Sequence, residues 1–164
     1  METCIDKLEQ YFAEKRIYYE IQEHRTAFTI QEVAALLHEK GIHVAKVFIA
    51  RADGRNVMLV LPSIYKVDLD RVRELIGAQE VRRAKEVEFA HLFPDCDVGA
   101  MPPFGNFYNI PVYVDQTLAL QPFVVFQAGS HRETMKIATS DYLRLVEPTI
   151  GEFATQPEAL YEPV

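Results

Sequence analysis

The sequence predicts an α+β fold: a single domain with a mixed, curved and partly barrel-like sheet flanked by helices. Three observations predict it. Helical and strand-like patterns alternate in the first half of the chain, and strand-like runs cluster in the second. Asp53-Gly54 stands between two apolar runs rich in β-branched residues, which is a hairpin signal and excludes an all-parallel sheet. The 164 residues suffice for one proper hydrophobic core, and 49% of them are hydrophobic.

The elements follow in order. Ile5, Leu8, Tyr11 and Phe12 fall at helical spacing, predicting an amphipathic helix over 3–15. Ile17, Tyr19 and Ile21 alternate and predict a short strand. Thr29-x-x-Glu32 is a capping box that opens a second helix through about Glu39, with Gly41 placed to close it. Val44 to Ala50 reads as a strand, and Asn56 to Leu61 as its return across the hairpin. Asp68 caps a third helix ending at Gly77. Glu80 to Arg83 reads as a brief strand, and Lys85 to Phe93 as a helix stopped by Pro94. Strands are expected at 111–114, 122–127 and near 134–138. Ser140 is placed to cap a last helix, 141–147. Residues 1–147 are the expected domain. Residues 148–164, with three prolines and four acidic residues counted from Glu147, read as an appended tail.

The net charge of −7 argues against a general nucleic-acid coat, and DNA is not an expected partner. Residues 1–24 carry six acidic and three basic side chains, and residues 145–164 carry four acidic and no basic ones. The excess therefore sits in the terminal segments, and the neutral centre can present a local basic face. Arg82, Arg83 and Lys85 are one such group; Arg51, Arg55, Lys66, Arg71 and Arg73 are another. No apolar run approaches the ~20 residues that span a bilayer, and the acidic start Met1-Glu-Thr-Cys4 does not read as a signal peptide. Cys4 and Cys96, with no Cys-x-x-Cys spacing, read as free thiols of a cytoplasmic protein.

Three features carry candidate chemistry. Gly99-Ala100-Met101-Pro102-Pro103-Phe104-Gly105 is a glycine-bounded loop in which two prolines fix φ and remove two backbone donors. Such a preset backbone is suited to present N–H groups to a ligand. Lys46 lies inside an apolar strand and shares a face with Val44 and Phe48. It reads either as an edge lysine that keeps strands apart or as a charge on a cleft floor. His131 ends Ala128-Gly129-Ser130-His131, where small residues admit a ligand to the backbone; a plain turn histidine is the other reading. His91, Asp95 and Cys96 make a poor metal set, and no metal is expected. No nucleophile elbow, Walker loop or dinucleotide fingerprint is present, so no cofactor is expected.

With these residues the chain resembles the YbaK / prolyl-tRNA-synthetase-associated editing-domain family of free-standing aminoacyl-tRNA deacylases. The likeness runs from about Tyr18 to Val146. It is carried by Val44-Ala-Lys46, Tyr65-Lys-Val-Asp-Leu69, Gly99 to Gly105, Val112-Tyr-Val-Asp115, Ala128 to His131 and Ser140-Asp-Tyr-Leu143, in that order. The resemblance implies hydrolysis of the ester joining a mischarged amino acid to the tRNA 3′ end, without a cofactor. It implies Lys46, Gly99 and His131 as catalytic residues, and Ala100, Met101, Pro102, Pro103, Phe104, Gly105, Ala128, Gly129 and Ser130 as substrate-binding ones. Alanyl- and cysteinyl-tRNA(Pro) are the implied substrates and prolyl-tRNA synthetase an implied partner. Members that clear cysteine often carry threonine after the lysine, where Val47 stands here. The rival readings are a non-catalytic module that binds an amino acid, nucleotide or RNA end, and an interaction protein that docks through its first helix or acidic tail.

Overall fold

The computed structural model describes residues 2–156. The chain opens with α1 (Cys4–Lys15), where Thr3 Oγ1 accepts from the Asp6 N–H and the Asp6 carboxylate accepts from the Thr3 N–H. This reciprocal cap satisfies donors that a helix start leaves orphaned. Cys4, Leu8 and Phe12 recur every four residues and are buried. Strand β1 (Tyr19–Glu23) follows, then α2 (Ile30–Leu37), capped by Thr29. Strands β2 (Ala45–Ala52) and β3 (Arg55–Pro62) pair antiparallel. Asp53 and Gly54 between them both hold positive φ, 49° and 81°, the hairpin geometry that matches strand twist. Strand β4 (Lys66–Val67) leads into α3 (Leu69–Ile76), capped by Asp68 and ended by Gly77 at φ 79°.

Then come β5 (Val81–Arg83), α4 (Glu86–Phe89), β6 (Val112–Asp115), α5 (Gln116–Ala119), β7 (Phe123–Gln127), β8 (Glu133–Ala138), α6 (Thr139–Val146), β9 (Thr149–Gly151) and β10 (Ala154–Thr155). The larger sheet has the order β5-β2-β3-β6-β9; β3-β6 and β6-β9 are parallel pairs and the others antiparallel. A second, antiparallel sheet has the order β1-β8-β7, and β10 pairs with β4. One parallel bridge, Val44 to Val125, stitches the two main sheets together. The expected mixed α+β domain is observed.

The main core lies under α1 and between the sheets, joining Leu8, Phe12, Met58, Val114, Phe126 and Tyr142. A second cluster packs α3 on the outer face of the larger sheet through Leu59, Leu61, Val72 and Phe153. A third seats α2 on Val44 and Val125, at the bridge.

Several expectations are corrected. The second helix ends at His38, which takes the left-handed conformation at φ 55°, so Gly41 does not close it. Gly41 serves a close approach instead: a Cβ there would lie 2.3 Å from Ile64 Cγ2. The helix expected to run to Phe93 holds α-geometry only over Glu86–Phe89 and continues as a 3-10 turn. The last helix begins at Thr139, and Ser140 does not cap it.

The expected tail from Pro148 is corrected over residues 148–156. β9 and β10 lie in sheets, and Phe153 is fully buried. Asp115 Oδ1 accepts from the Phe153 and Ala154 N–H groups, each at 2.8 Å. Composition rich in proline and glutamate hid one aromatic anchor and its buried carboxylate. The remainder of the expected tail, 157–164, lies outside the described residues.

Candidate active site

The glycine–proline loop is anchored in the core. Gly99 is exposed, whereas Ala100 through Gly105 are buried. Phe104 sets the loop into the core, its ring 5.3 Å from that of Tyr142 and 5.4 Å from that of Phe126. Tyr142 Oη donates to Pro103 O at 2.6 Å, a buried hydrogen bond that fixes the middle of the loop. Burial pushes the Tyr142 phenol well above its usual range, so it remains a donor. A Cβ on Gly105 would lie 2.5 Å from Ile110 O. The expectation of a loop lined with substrate contacts is therefore narrowed. Phe104 and Gly105 are anchors, Ala100, Met101, Pro102 and Pro103 are buried with them, and Gly99 alone of the seven is exposed.

The Gly99 end of the loop meets the turn between β7 and β8. The Gly129 N–H donates to Ala100 O at 2.9 Å, and the Asp97 N–H donates to Gly129 O at 2.8 Å. Gly99 and Gly129 hold φ of 88° and 95°, which glycine alone adopts at no steric cost. Ser130 is used within its turn: its Oγ donates to Glu133 Oε1 and accepts from the Arg132 N–H.

His131 lies directly against this junction. A Cβ on Gly99 would be 3.6 Å from His131 Cε1. His131 Nε2 is 3.1 Å from Val98 O. A carbonyl can only accept, so Nε2 carries a proton, and in the neutral tautomer that does so Nδ1 is the acceptor. Nδ1 is buried without a protein partner. The Phe28 ring packs 5.0 Å from the imidazole and is itself 72% exposed. The Gly99 N–H donates only to the weak thioether acceptor Met101 Sδ, at 3.3 Å, whereas the Ala100 N–H is committed to Asp97 O. The Val98–Gly99 peptide thus presents its carbonyl to the imidazole, and its weakly engaged N–H lies on the opposite edge of the same trans peptide.

Lys46 lies on β2, on the face of Phe48 and Ala50 that packs toward α3, whereas Ala45 and Ile49 on the opposite face join the main core that holds Phe104. The parallel bridge at Val44–Val125 brings the start of β2 beside β7, whose buried Gln127 leads into Ala128–His131. No hydrogen bond joins Lys46 to Gly99 or His131. Among the described residues it takes part in no ion pair. It is half-buried, and burial, followed by repulsion from Arg83 and Lys66, holds its ammonium below the usual lysine range. The structure therefore brings Gly99 and His131 into contact and leaves Lys46 as an unpartnered cation beside Arg83 and Lys66. Much of the remaining basic surface is neutralised: Arg82 and Arg51 reach Glu88, Arg71 reaches Asp68, and Arg73 reaches Asp70.

Sequence reasoning missed Phe28, Val98 and Tyr142 as parts of this site. Phe28 carries a faint signal, an aromatic residue immediately ahead of a helix cap. The pairing of Tyr142 with Pro103 spans 39 positions and leaves none. Among the described residues, one cluster has metal-ligand atoms within 4.8 Å of one another: Cys4, Asp95 and Cys96. His91 is not part of it. The Asp95 carboxylate is taken up by Lys7 Nζ at 2.7 Å and by the Tyr108 hydroxyl at 3.1 Å, which leaves it poorly placed to bind an ion.

The chain is 27% identical over 115 residues to a multifunctional Ser/Thr-tRNA deacylase, ProXp-y, of Escherichia coli (strain K12), covering 66% of this chain and 68% of that protein. Its fold matches a crystal structure of a hypothetical protein at a TM-score of 0.82 and 21% identity, covering 91% of this chain and 99% of the other. It also matches a crystal structure described as a candidate trans-editing enzyme for prolyl tRNA synthetase, at a TM-score of 0.79 and 17% identity, over 94% and 99% of the two chains. The model of the aminoacyl-tRNA editing domain matches residues 24–145, from the loop before α2 to the end of α6. The span takes in Phe28, Lys46, the Gly99–Gly105 loop, His131 and Tyr142, and the chain belongs to the aminoacyl-tRNA editing domain family.

Proposed function

We propose that the protein acts in trans to hydrolyse the ester that links a small, wrongly attached amino acid to the 3′-terminal ribose of tRNA. The observation that carries this reading is the contact between Gly99 and His131, with a free Nδ1 lone pair on one side and a loosely held N–H on the other. An aminoacyl ester is already activated and needs no strong protein nucleophile. Its hydrolysis gains most from donors aimed at the developing oxyanion. The Gly99 N–H leaves a thioether for that oxyanion at little cost. His131 Nδ1 accepts a hydrogen bond from the attacking water, the amino group or a ribose hydroxyl. Water adds to the carbonyl, the ester bond breaks, and the ribose oxygen leaves with a proton.

Lys46, unpaired beside Lys66 and Arg83, receives a phosphate near the tRNA end. Phe28 offers a ring face on which the terminal adenine stacks; such stacking contributes about 1–3 kcal/mol per base. Tyr142 positions the loop through Pro103. The first substrates proposed are alanyl- and cysteinyl-tRNA(Pro), delivered near prolyl-tRNA synthetase. A second reading follows from the E. coli relative: seryl- and threonyl-tRNA as substrates.

The test is single-turnover deacylation across alanyl-, cysteinyl-, seryl-, threonyl- and prolyl-tRNA. Rapid loss of one or more mischarged species, with prolyl-tRNA(Pro) spared, supports the proposal. Tight binding of every species at the spontaneous hydrolysis rate makes the protein a binding module and overturns it.

A further inference from the structure

Behind the Gly99–Gly129 junction lie two thiols that the hydrolytic reading does not use. Cys4 occupies the first position of α1, and Cys96 lies three residues before Gly99. Their sulfurs are within 4.8 Å of each other. Tyr108 Oη bridges them, 4.0 Å from Cys4 Sγ and 3.4 Å from Cys96 Sγ. Cys4 is 2% exposed, whereas Cys96 is partly exposed and lines an open surface pocket of about 460 Å³ with Thr3, Pro94 and Asp97. Small oxidants therefore reach one sulfur, and the second waits beside it.

We propose that Cys4 and Cys96 form a reversible disulfide on exposure to a peroxide, and that this bond deforms the Gly99 loop; the second part rests on the proposed hydrolytic site. Cys96 is oxidised first: its sulfur takes one peroxide oxygen, the O–O bond breaks, and a water leaves. Cys4 then attacks the sulfur of the Cys96 sulfenic acid, forming the S–S bond and releasing a second water. Two electrons pass from two thiols to one peroxide.

Exposure selects Cys96 for the first step, and the surroundings favour Cys4 for the second. The Cys96 thiol beside it holds the Cys4 thiol below its ordinary range against burial and the Asp95 carboxylate, and Cys4 sits at the start of α1, which favours a thiolate.

The geometry says which side moves. An S–S bond is about 2.05 Å long, so the gap of up to 4.8 Å has to shrink by as much as about 3 Å. Cys4 is fixed by α1, which is packed through Leu8 and Phe12. It also presses on Gly129, where a Cβ would lie 2.4 Å from Cys4 Cβ. Cys96 belongs to a loop, and its displacement pulls on Asp97, whose N–H holds Gly129 O. Both segments of the site are thereby disturbed.

The test treats the reduced full chain with hydrogen peroxide and follows intact mass, non-reducing peptide maps and deacylation. The expected product has lost two hydrogens and yields a Cys4–Cys96 cross-linked peptide, which Cys96→Ser abolishes. A misplacement of ~1 Å can cost ~10² in rate, so deacylation falls by about tenfold or more and returns with dithiothreitol. Reduced Cys96→Ser retains wild-type activity and resists peroxide.

Thiols that both remain alkylatable, that oxidise separately with added oxygens, or that are shielded by a bound zinc ion overturn the disulfide. A mapped disulfide with an unchanged rate overturns its effect on the site. A protein inactive even when reduced refutes the hydrolytic reading, and the cross-linked peptide still decides the thiol chemistry.

Discussion

Replacing Lys46 with methionine separates a functional charge from a structural one. The side chain is half-buried, without an ion-pair or hydrogen-bond partner among the described residues, and near Arg83 and Lys66. Methionine keeps the apolar stem and removes only the charge. No favourable pair is lost, so the fold is expected to be unchanged or stabilised by about 0.2–1 kcal/mol, the scale of partly exposed charge interactions. For a chain of this size that corresponds to a rise in Tm of up to about 4 °C.

Activity moves the other way. A charge-assisted contact to a phosphate or an oxyanion is worth about 1.5–3 kcal/mol, so single-turnover deacylation falls by about 10- to 150-fold. If the contact is to phosphate, the slope of log binding against log salt also flattens by about 0.7. pH gives an independent check. The folded-state pKa of Lys46 lies below its unfolded value, so between the two the unfolded chain binds more protons and stability rises with pH. Wild type gains stability through that alkaline window, and Lys46→Met lacks the gain. Methionine at 46 that leaves the deacylation rate within twofold of wild type refutes the role. A Tm that drops by several degrees alongside the rate shows instead that Lys46 is structural.

Three further outcomes test the rest of the site. Gly99→Ala places a Cβ at ordinary contact distance from His131 but in a left-handed backbone, so it costs about 1–2 kcal/mol by denaturant unfolding, and its methyl over the imidazole lowers kcat/KM by about 10²-fold; full activity removes Gly99 from the mechanism. Tyr142→Phe leaves Pro103 O unpaired in the core and costs about 1–3 kcal/mol, with slower deacylation by a folded protein; unaltered stability and rate contradict the positioning role. Asp115→Ala strips the acceptor from the Phe153, Ala154 and Thr117 N–H groups and from the Thr117 hydroxyl, and destabilises by about 3–5 kcal/mol; a loss below about 1 kcal/mol in chemical denaturation contradicts the view that the carboxylate ties in the last strands.

Local chemistry was legible in the sequence, and long-range pairing was not. Thr29 and Asp68 cap helices, and Asp53-Gly54 turns a hairpin, because each signal is complete within four residues. The tilt of the loop toward the core was hidden, because it depends on Phe104 meeting Phe126 and Tyr142 from distant strands and helices. Gly99 and His131 were each identifiable, but their contact is set by the Gly129–Ala100 hydrogen bond, which no periodicity encodes. Phe153 was misread because neighbouring prolines and glutamates outweigh a single ring in composition. Its burial is decided by Asp115, 38 positions earlier.

That late pairing has a consequence for biosynthesis. β9 docks against β6, and Phe153 fills the space under α3, only after the residues up to 153 have been made. Until then Asp115 has no main-chain partners from this segment, and the outer face of the large sheet stays open to solvent. On the ribosome, residues up to about 155 have to clear the exit tunnel before the sheet can close. The large sheet is therefore completed only once residues to about 155 have emerged, and a nascent chain stalled before Phe153 presents an exposed apolar surface suited to a chaperone.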